Sequence, residues 1–419
     1  MSLFTFGLFS RPQWLQDRDI REVRRRHRRG QADNVPISSA TDREVPGEGG
    51  VSGYAEHLRS TWYKNNQALR CYRPWRDTPA LDWQAKPIHQ RTIPCAERVW
   101  SIPCRIGEDR IVFGCWDNSL QCVSLRDGAH QWRFATEGPV YSSPAVSDDG
   151  SFVVGCEDHV LRRISQDGEC LWAFHAQGPF HASPTIDPAR GIVYAGSYDH
   201  TLYALDHASG RLQWKQSFDD QVEDDLYSSP ALDADGNVIV GTDNILMCFG
   251  PDGEERWRIT ETSRFEGTAA IDHASGRGVI GTEVDGKIIV FETRSGTVLR
   301  QFRSDGFVVS CPSLSPQGVA YVGSNDGHVY GIDLHSLQCL WRVNLECEFR
   351  YTPFTVLPSG DALLVGTDER LHCLAQRTGE SLWHLEHSGG FHSSPLLTDD
   401  GHLVIGSHRN AVHFYRWIR

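Results

Sequence analysis

Methionine is nearly missing from this 419-residue chain, which has two, while tryptophan appears thirteen times. Helical cores lean on Leu and Met, so the shortage, together with 39 glycines, points to short strands joined by tight turns. No apolar run is long enough to span a bilayer as a helix. The start, MSLFTFGLFSRPQWLQDRD, is apolar for only nine residues. It has no basic lead, no small-residue cleavage site and no lipoprotein-type cysteine nearby, so a cytoplasmic location is expected. The twelve cysteines include no Cys-x-x-Cys, no Cys-Cys and no zinc-like spacing. Positive charge is also scarce. Residues 1–60 hold ten Lys/Arg against eight Asp/Glu, which leaves 31 against 46 and a net −15 on the rest. Nucleic-acid faces need clustered cations to displace counterions, so none is expected on this acidic body.

What the chain has in quantity is a repeat. Pro103, Pro144, Pro184, Pro230, Pro312, Pro353 and Pro395, with Ala269 standing in once, follow one another at intervals of 39 to 46 residues. Each opens an apolar run and is usually preceded by serine, as in VYSSP (140–144) and FHASP (180–184). A second landmark ends the next run: Gly114, Gly155, Gly196, Gly241, Gly281, Gly323, Gly366 and Gly406. A third follows a Gly-containing turn: Trp132, Trp172, Trp214, Trp257, Trp341 and Trp383, with Arg300 at the fifth position. Eight units of about 42 residues, each with runs too short for helices, fit four-stranded propeller blades. One indole per unit, at a fixed place on the outer strand, is expected to pack between blades, where full burial is worth about 2–3 kcal/mol.

The eighth unit ends at HFYRWIR (413–419), with no room for a fourth strand. Trp83, in ALDWQAKPI (80–88), lies upstream of the first Ser-x-Pro. A strand around Trp83 is therefore expected to complete the last blade and remove two open sheet edges. The reading is all-β: an eight-bladed β-propeller of four-stranded antiparallel blades over residues 80–419, closed by an N-terminal strand. Ahead of it come a mostly irregular or helical extension, with a basic and apolar tail plus linker at 1–53 and a helical approach segment at 54–79.

GSYDHTLYALDHASGRLQW (196–214) and GSNDGHVYGIDLHSLQCLW (323–341) carry a Gly-Ser-x-Asp, Leu-x-Ala-Leu-Asp, Gly-x-x-x-Trp grammar. This resembles the quinoprotein-type (PQQ-like) propeller repeat over roughly residues 80–419. The resemblance implies the fold. The family it points to includes quinoprotein dehydrogenases and BamB-like outer-membrane assembly lipoproteins, so it does not by itself imply an activity.

No catalytic set and no metal site emerges from the residues. Asp117, Asp158, Asp199, Asp243, Asp285, Asp326 and Asp368 follow the Gly landmarks in seven units, and that repetition assigns them to turns. Cys115 and Cys156 fall in a slot otherwise held by Ser or Thr; Cys122, Cys248 and Cys373 align with Ala204 and Gly331. They read as compact core fillers suited to a reducing compartment. No cofactor is expected. A quinone enzyme would need calcium ligands, a catalytic Asp and stacking walls beyond the repeat.

The position three residues before each landmark varies freely: Trp100, Tyr141, His181, Tyr227, Glu266, Val309, Arg350 and His392. Inner-strand starts gather round the channel of a propeller, so these eight are expected to form a ring at its mouth. Aromatics and Arg are enriched where partners bind tightly. In the tail, Phe4, Phe6, Phe9 and Trp14 precede an arginine run that includes Arg24, Arg25 and Arg26, a pattern suited to a tethered docking peptide. The expectation is a non-enzymatic, cytoplasmic scaffold whose partners are other proteins of a multi-component assembly, with neither nucleic acid nor membrane on the propeller. The alternatives are a quinone- or other small-ligand-binding enzyme of quinoprotein descent, and an exported BamB-like assembly factor.

Overall fold

Every repeat unit builds one antiparallel sheet. A computed structural model describes residues 82–417 apart from 219–225, 227, 348, 350–352, 358–359, 368–369, 387–389, 392, 399–400 and 408. The tail, the linker and the approach segment lie outside the described residues. Eight four-stranded sheets follow in order, and seven of them are simple meanders in sequence. Blade 1, for example, runs Cys104–Ile106, Arg110–Cys115, Ser119–Ser124 and His130–Ala135. First strands of neighbouring blades touch one another, so they line the axis. The second and third strands are buried almost throughout, as in IVYAGS (Ile192–Ser197) and TLYALD (Thr201–Asp206). The fourth alternates exposed and half-buried, as an outer strand with one face on its neighbour should.

The paired serines have separate tasks. Ser142, two residues before Pro144, donates to the carbonyl of Gly155 and accepts its N–H, both at 2.8 Å. Ser310 does the same with Gly323. This fixes the start of the inner strand to the end of the second. The residue just before each proline links blades instead. Ile102 N–H donates to Ser143 Oγ (2.9 Å), Ser143 N–H to Ser183 Oγ (2.9 Å) and Ser183 N–H to Ser229 Oγ (3.0 Å). The chain continues from Ser229 N–H to Thr268 Oγ1 (3.1 Å) and from Thr268 N–H to Cys311 Sγ (3.4 Å). A belt of backbone donors and side-chain acceptors thus runs round six blades. Buried backbone donors need such partners, which accounts for the constancy of the hydroxyl.

On the rim, the tryptophans lock each blade to the next. The indole N–H of Trp132, Trp172, Trp214, Trp257 and Trp341 donates to a turn carbonyl of the following blade, at Gln166, His207, Pro251, Thr293 and Gln376, over 2.7 to 3.0 Å. The turn glycine of that blade sits on the indole face. A Cβ at Gly210 would stand 2.7 Å from Trp172 Cδ2, and its φ of +71° is left-handed. The same contact recurs at four other seams. Where Arg300 replaces the indole, the opposing turn carries Leu337 in place of glycine, still at φ +57°. Losing the ring on one blade goes with losing the glycine on the next.

The closure differs from the expected one in place. The strand completing blade 8 is Ile88–Pro94, which pairs with Ala411–Arg416, rather than a strand around Trp83. The residue in the outer-strand tryptophan register is Arg91, opposite Phe414 as Trp132 is opposite Cys122. Its guanidinium lies 5.8 Å from the Phe414 ring centre. Trp83 is buried in the preceding turn, where its carbonyl accepts the Trp383 indole N–H at 2.8 Å and its ring meets Trp417 edge-on at 5.1 Å. Blade 8 has no continuous third-to-fourth-strand turn, so the backbone at Trp83 supplies the carbonyl that such a turn provides elsewhere.

The small-slot cysteines are as read. Cys115, Cys122, Cys248 and Cys373 are fully buried, and the last three lie opposite Trp132, Trp257 and Trp383. Blade 2 breaks the pattern by placing Arg163 in that slot. It is buried, with Nη1 on the carbonyl of His207 and Nη2 on Asp149.

Candidate functional site: an aromatic arc at the channel mouth

Loops that precede the first strands, and loops joining second to third strands, share one face of the disk. Backbone hydrogen bonds tie them in pairs. Trp116 N–H donates to the carbonyl of Arg98, Glu157 N–H to that of Pro139 and Tyr198 N–H to that of Pro179, all within 3.1 Å. Each donor stands two residues after a Gly landmark, and each acceptor two residues before a member of the variable ring. The two loops therefore present their side chains together.

In blades 1 to 3 these side chains form a continuous aromatic arc. Trp100 meets Trp116 edge-on with centroids 4.4 Å apart, and Trp116 meets Tyr141 at 4.7 Å. Tyr141 stacks on His181 at 4.6 Å, and His181 on Tyr198 at 5.3 Å. The guanidinium of Arg98 lies 5.2 Å from the Trp116 ring at one end. Glu157 Oε1 is 2.9 Å from His181 Nδ1 toward the other. All five rings are half-buried. Burial, then the nearby charge of Glu157, pushes the Tyr141 phenol up to about 12, so it remains a neutral hydrogen-bonding group. Trp116 Nε1 is buried with no hydrogen-bond partner among the described residues. A buried indole N–H normally finds one.

Beyond the arc the ring changes character. In blades 4 and 5, Arg264 lies 3.4 Å from Asp243 and 3.9 Å from Glu283, and the half-buried Glu266 is the variable-ring member there. Val309 is buried at 4% exposure and so packs the interior instead of presenting a contact. Tyr227, Arg350 and His392 lie outside the described residues, as do the tail positions Phe4, Phe6, Phe9, Trp14, Arg24, Arg25 and Arg26. Of the eight variable positions, then, Trp100, Tyr141 and His181 are brought together. Trp116, Tyr198 and Arg98 complete the set without having been singled out from the sequence. The signal for Trp116 and Tyr198 was available: the second residue after each Gly landmark varies as freely as the third before each proline.

Three of the described post-glycine aspartates are engaged in their turns. Asp158 accepts the N–H groups of Val160 and Glu137, Asp199 that of Gln177, and Asp326 those of His328 and Asp305. Among the described residues no three His, Cys, Asp or Glu side chains converge as metal ligands. With these carboxylates held by backbone donors, the described residues of this face do not fit a quinone and its calcium. The arc has the chemistry of a contact surface: flat apolar rings, one cation, one carboxylate and one unmatched donor.

Residues 116–269, 242–348 and 325–415 match the sequence model of the PQQ-like repeat family described as outer membrane protein assembly factor BamB. The chain belongs to that family. A BamB of Yersinia pestis is 24% identical over 240 residues, covering 53% of this chain and 58% of the relative, so the chain spans little more than half the relative's length. The crystal structure of BamB from Moraxella catarrhalis superposes with a TM-score of 0.62 at 15% identity, over 79% of this chain and 100% of that one. The designed protein Ika8 (TM-score 0.66, 17% identity, 79% and 100%) and Saccharomyces cerevisiae Sqt1 (0.67, 12%, 79% and 99%) are similar to the same extent. At such identities these structures speak for the propeller alone.

Proposed function

We propose that this BamB-family propeller is a non-enzymatic protein-interaction scaffold, and that it holds a partner through the aromatic arc of blades 1 to 3. The observation carrying this reading is the arc itself: five half-buried rings set by paired loops, with a buried indole N–H left for an acceptor on the partner. Rings fixed in advance lose little entropy on binding, and truncating such anchors usually costs 2 kcal/mol or more, roughly thirtyfold in affinity. The tail at 1–53 is a second contact, its aromatics anchoring and its arginines meeting acidic groups.

The test is affinity purification with cross-linking mass spectrometry from the native host. It compares the full chain with Trp116→Ala/Tyr141→Ala/His181→Ala and with a deletion of residues 1–50. Loss of the same partner cross-links in the triple variant is the expected result. An unchanged partner list from a triple variant that melts like the parent would end the reading.

A cytoplasmic location is part of this proposal. A second reading, an exported assembly factor, is favoured by the family's description and by the name of the Yersinia relative. Cell fractionation separates the two. A quinone enzyme is disfavoured by the turn-bound aspartates, and a new absorbance band on adding pyrroloquinoline quinone and calcium would reverse that judgement.

A further inference from the structure

On the opposite face, where first-to-second and third-to-fourth strand turns project, the seam between blades 8 and 1 opens into a cleft of about 380 Å3. Four arginines line it: Arg91 and Arg416 from blade 8, Arg126 from blade 1, and Arg105, also of blade 1, whose Nε donates to the carbonyl of Glu108 at 3.1 Å. Two carboxylates, Glu108 and Asp109, share the lining. Asp109 is already engaged, accepting the Arg126 backbone N–H at 2.9 Å and the Ser124 hydroxyl at 3.2 Å. We propose that this cleft is a binding site for a soluble, phosphate-bearing small molecule.

Three observations point that way. First, the seam is built differently from its neighbours. Arg91 stands in the outer-strand tryptophan register, so a cation replaces the indole that fills most other seams. Second, arginines elsewhere on these turns are matched: Arg110 to Asp167 at 2.7 Å and Arg190 to Asp187 at 2.9 Å. Among the described residues Arg91, Arg126 and Arg416 make no such ion pair, although two carboxylates are close by. Nη1 of Arg91 is buried without a hydrogen-bond partner among the described residues. A buried guanidinium N–H without an acceptor is costly, and an anion in the cleft would offset the charge of Arg91. Third, the charge is out of keeping with a body of net −15. The four cations outnumber the two acids by two, which complements a phosphate dianion better than a single carboxylate. The planar fork of Arg matches phosphate oxygens in pairs. The volume lies in the usual range for small-molecule sites, about 300–1,000 Å3. Among the described residues no Trp, Tyr or Phe lines the cleft, and its one ring, His402, is buried at 8% exposure, so the recognition is of the phosphoryl group and not of a stacked base.

The experiment is titration calorimetry on the full chain with sodium pyrophosphate and with inorganic phosphate, in low-chloride buffer. Arg126→Gln/Arg416→Gln is the test variant, since both side chains are exposed and their loss leaves the sheets intact. Arg110→Gln is the control on the same face. Saturable one-site binding is expected, tighter for pyrophosphate than for phosphate and weaker with added salt. The double variant should bind at least tenfold more weakly at an unchanged melting temperature, and the control should bind like the parent. The proposal is overturned by no heat at about 10 mM pyrophosphate, where any useful affinity would saturate, by equal affinity in the double variant, or by succinate binding as tightly as pyrophosphate. It is also overturned if vesicles containing phosphatidic acid bind at the cleft while free pyrophosphate does not.

Discussion

The rim interlock can be tested with two glycines that share a backbone geometry and differ in surroundings. Gly191 has φ +63° and nothing within 4 Å of the place a Cβ would take. Gly210 has φ +71°, and its Cβ would stand 2.7 Å from Trp172 Cδ2 and 2.9 Å from Cγ and Cε3. Alanine at Gly191 therefore meets only the left-handed penalty, about 1–2 kcal/mol, partly offset by a stiffer unfolded chain. A net loss of about 1 kcal/mol is expected. Alanine at Gly210 incurs the same penalty and also pushes the indole off its seat. Half of the indole's burial, about 1 kcal/mol, goes with it, and so does much of the Trp172 Nε1 bond to His207, about 1 kcal/mol more. The expected total is about 3 kcal/mol. Urea unfolding followed by circular dichroism reads the two losses from their midpoints. Adding Trp172→Arg should make Gly210→Ala cheaper, because the Arg300–Leu337 seam already tolerates that combination. Equal losses for Gly191→Ala and Gly210→Ala, or no coupling to Trp172→Arg, would refute the interlock.

The belt and the core chemistry each give one further expectation. Ser183→Ala removes the acceptor of the Ser143 N–H and should cost about 1–2 kcal/mol, whereas Ser183→Thr should be nearly neutral, since Thr268 fills the same role two blades on. Equal stability of the Ala and Thr variants by urea midpoint would remove the belt from the argument. His372 is buried, and burial, then the neighbouring His384 and Arg370 charges, holds its imidazole down from 6.5 to about 4. The unfolded chain binds that proton more readily, so stability is intact above about pH 6.5 and falls between 6.5 and 4, by about 3 kcal/mol. His372→Leu should flatten that stretch of the melting-temperature profile, and an unchanged acid slope would place the effect elsewhere.

The repeat made most of the fold legible because each landmark answers a physical demand repeated in nearly every blade. Proline starts the inner strand, a hydroxyl closes the belt, glycine admits the indole of the preceding blade. The closure was legible only in kind. Trp83 was chosen because a tryptophan was missing from the eighth unit, yet the register holds Arg91 instead, and Trp83 contributes a backbone carbonyl. Sequence carries no label for a carbonyl, so a search for the missing side chain found the right neighbourhood and the wrong strand. Arg163 in a slot for small residues was illegible for a related reason. Its partners Asp149 and His207 are 14 and 44 residues away, and only the folded seam brings them together.

The candidate sites divide along the same line. A varying residue inside a constant frame marked Trp100, Tyr141 and His181, because positions free of packing demands are free to differ from blade to blade. The frame could not show that the loop after each Gly landmark is tied to that same position by one backbone bond, which brings Trp116 and Tyr198 into the arc. The cleft at the closing seam was hidden more deeply still. Seven seams join third- and fourth-strand turns within one continuous chain, and the eighth joins the two ends of the propeller sequence. Around blade 8 the indole lock is incomplete: in the seam with blade 7 Trp383 finds its carbonyl at Trp83, and in the seam with blade 1 Arg91 stands where blade 8 would have offered a ring to Gly128. A rim position that carries an indole in six blades tolerates Arg300 on a surface open to water, where a solvated guanidinium costs little. Arg91 is more enclosed, with a buried N–H among three further arginines, and the same substitution there calls for an anion. Identical letters in identical registers thus carry different chemistry, decided by whether the next blade continues the chain or begins it.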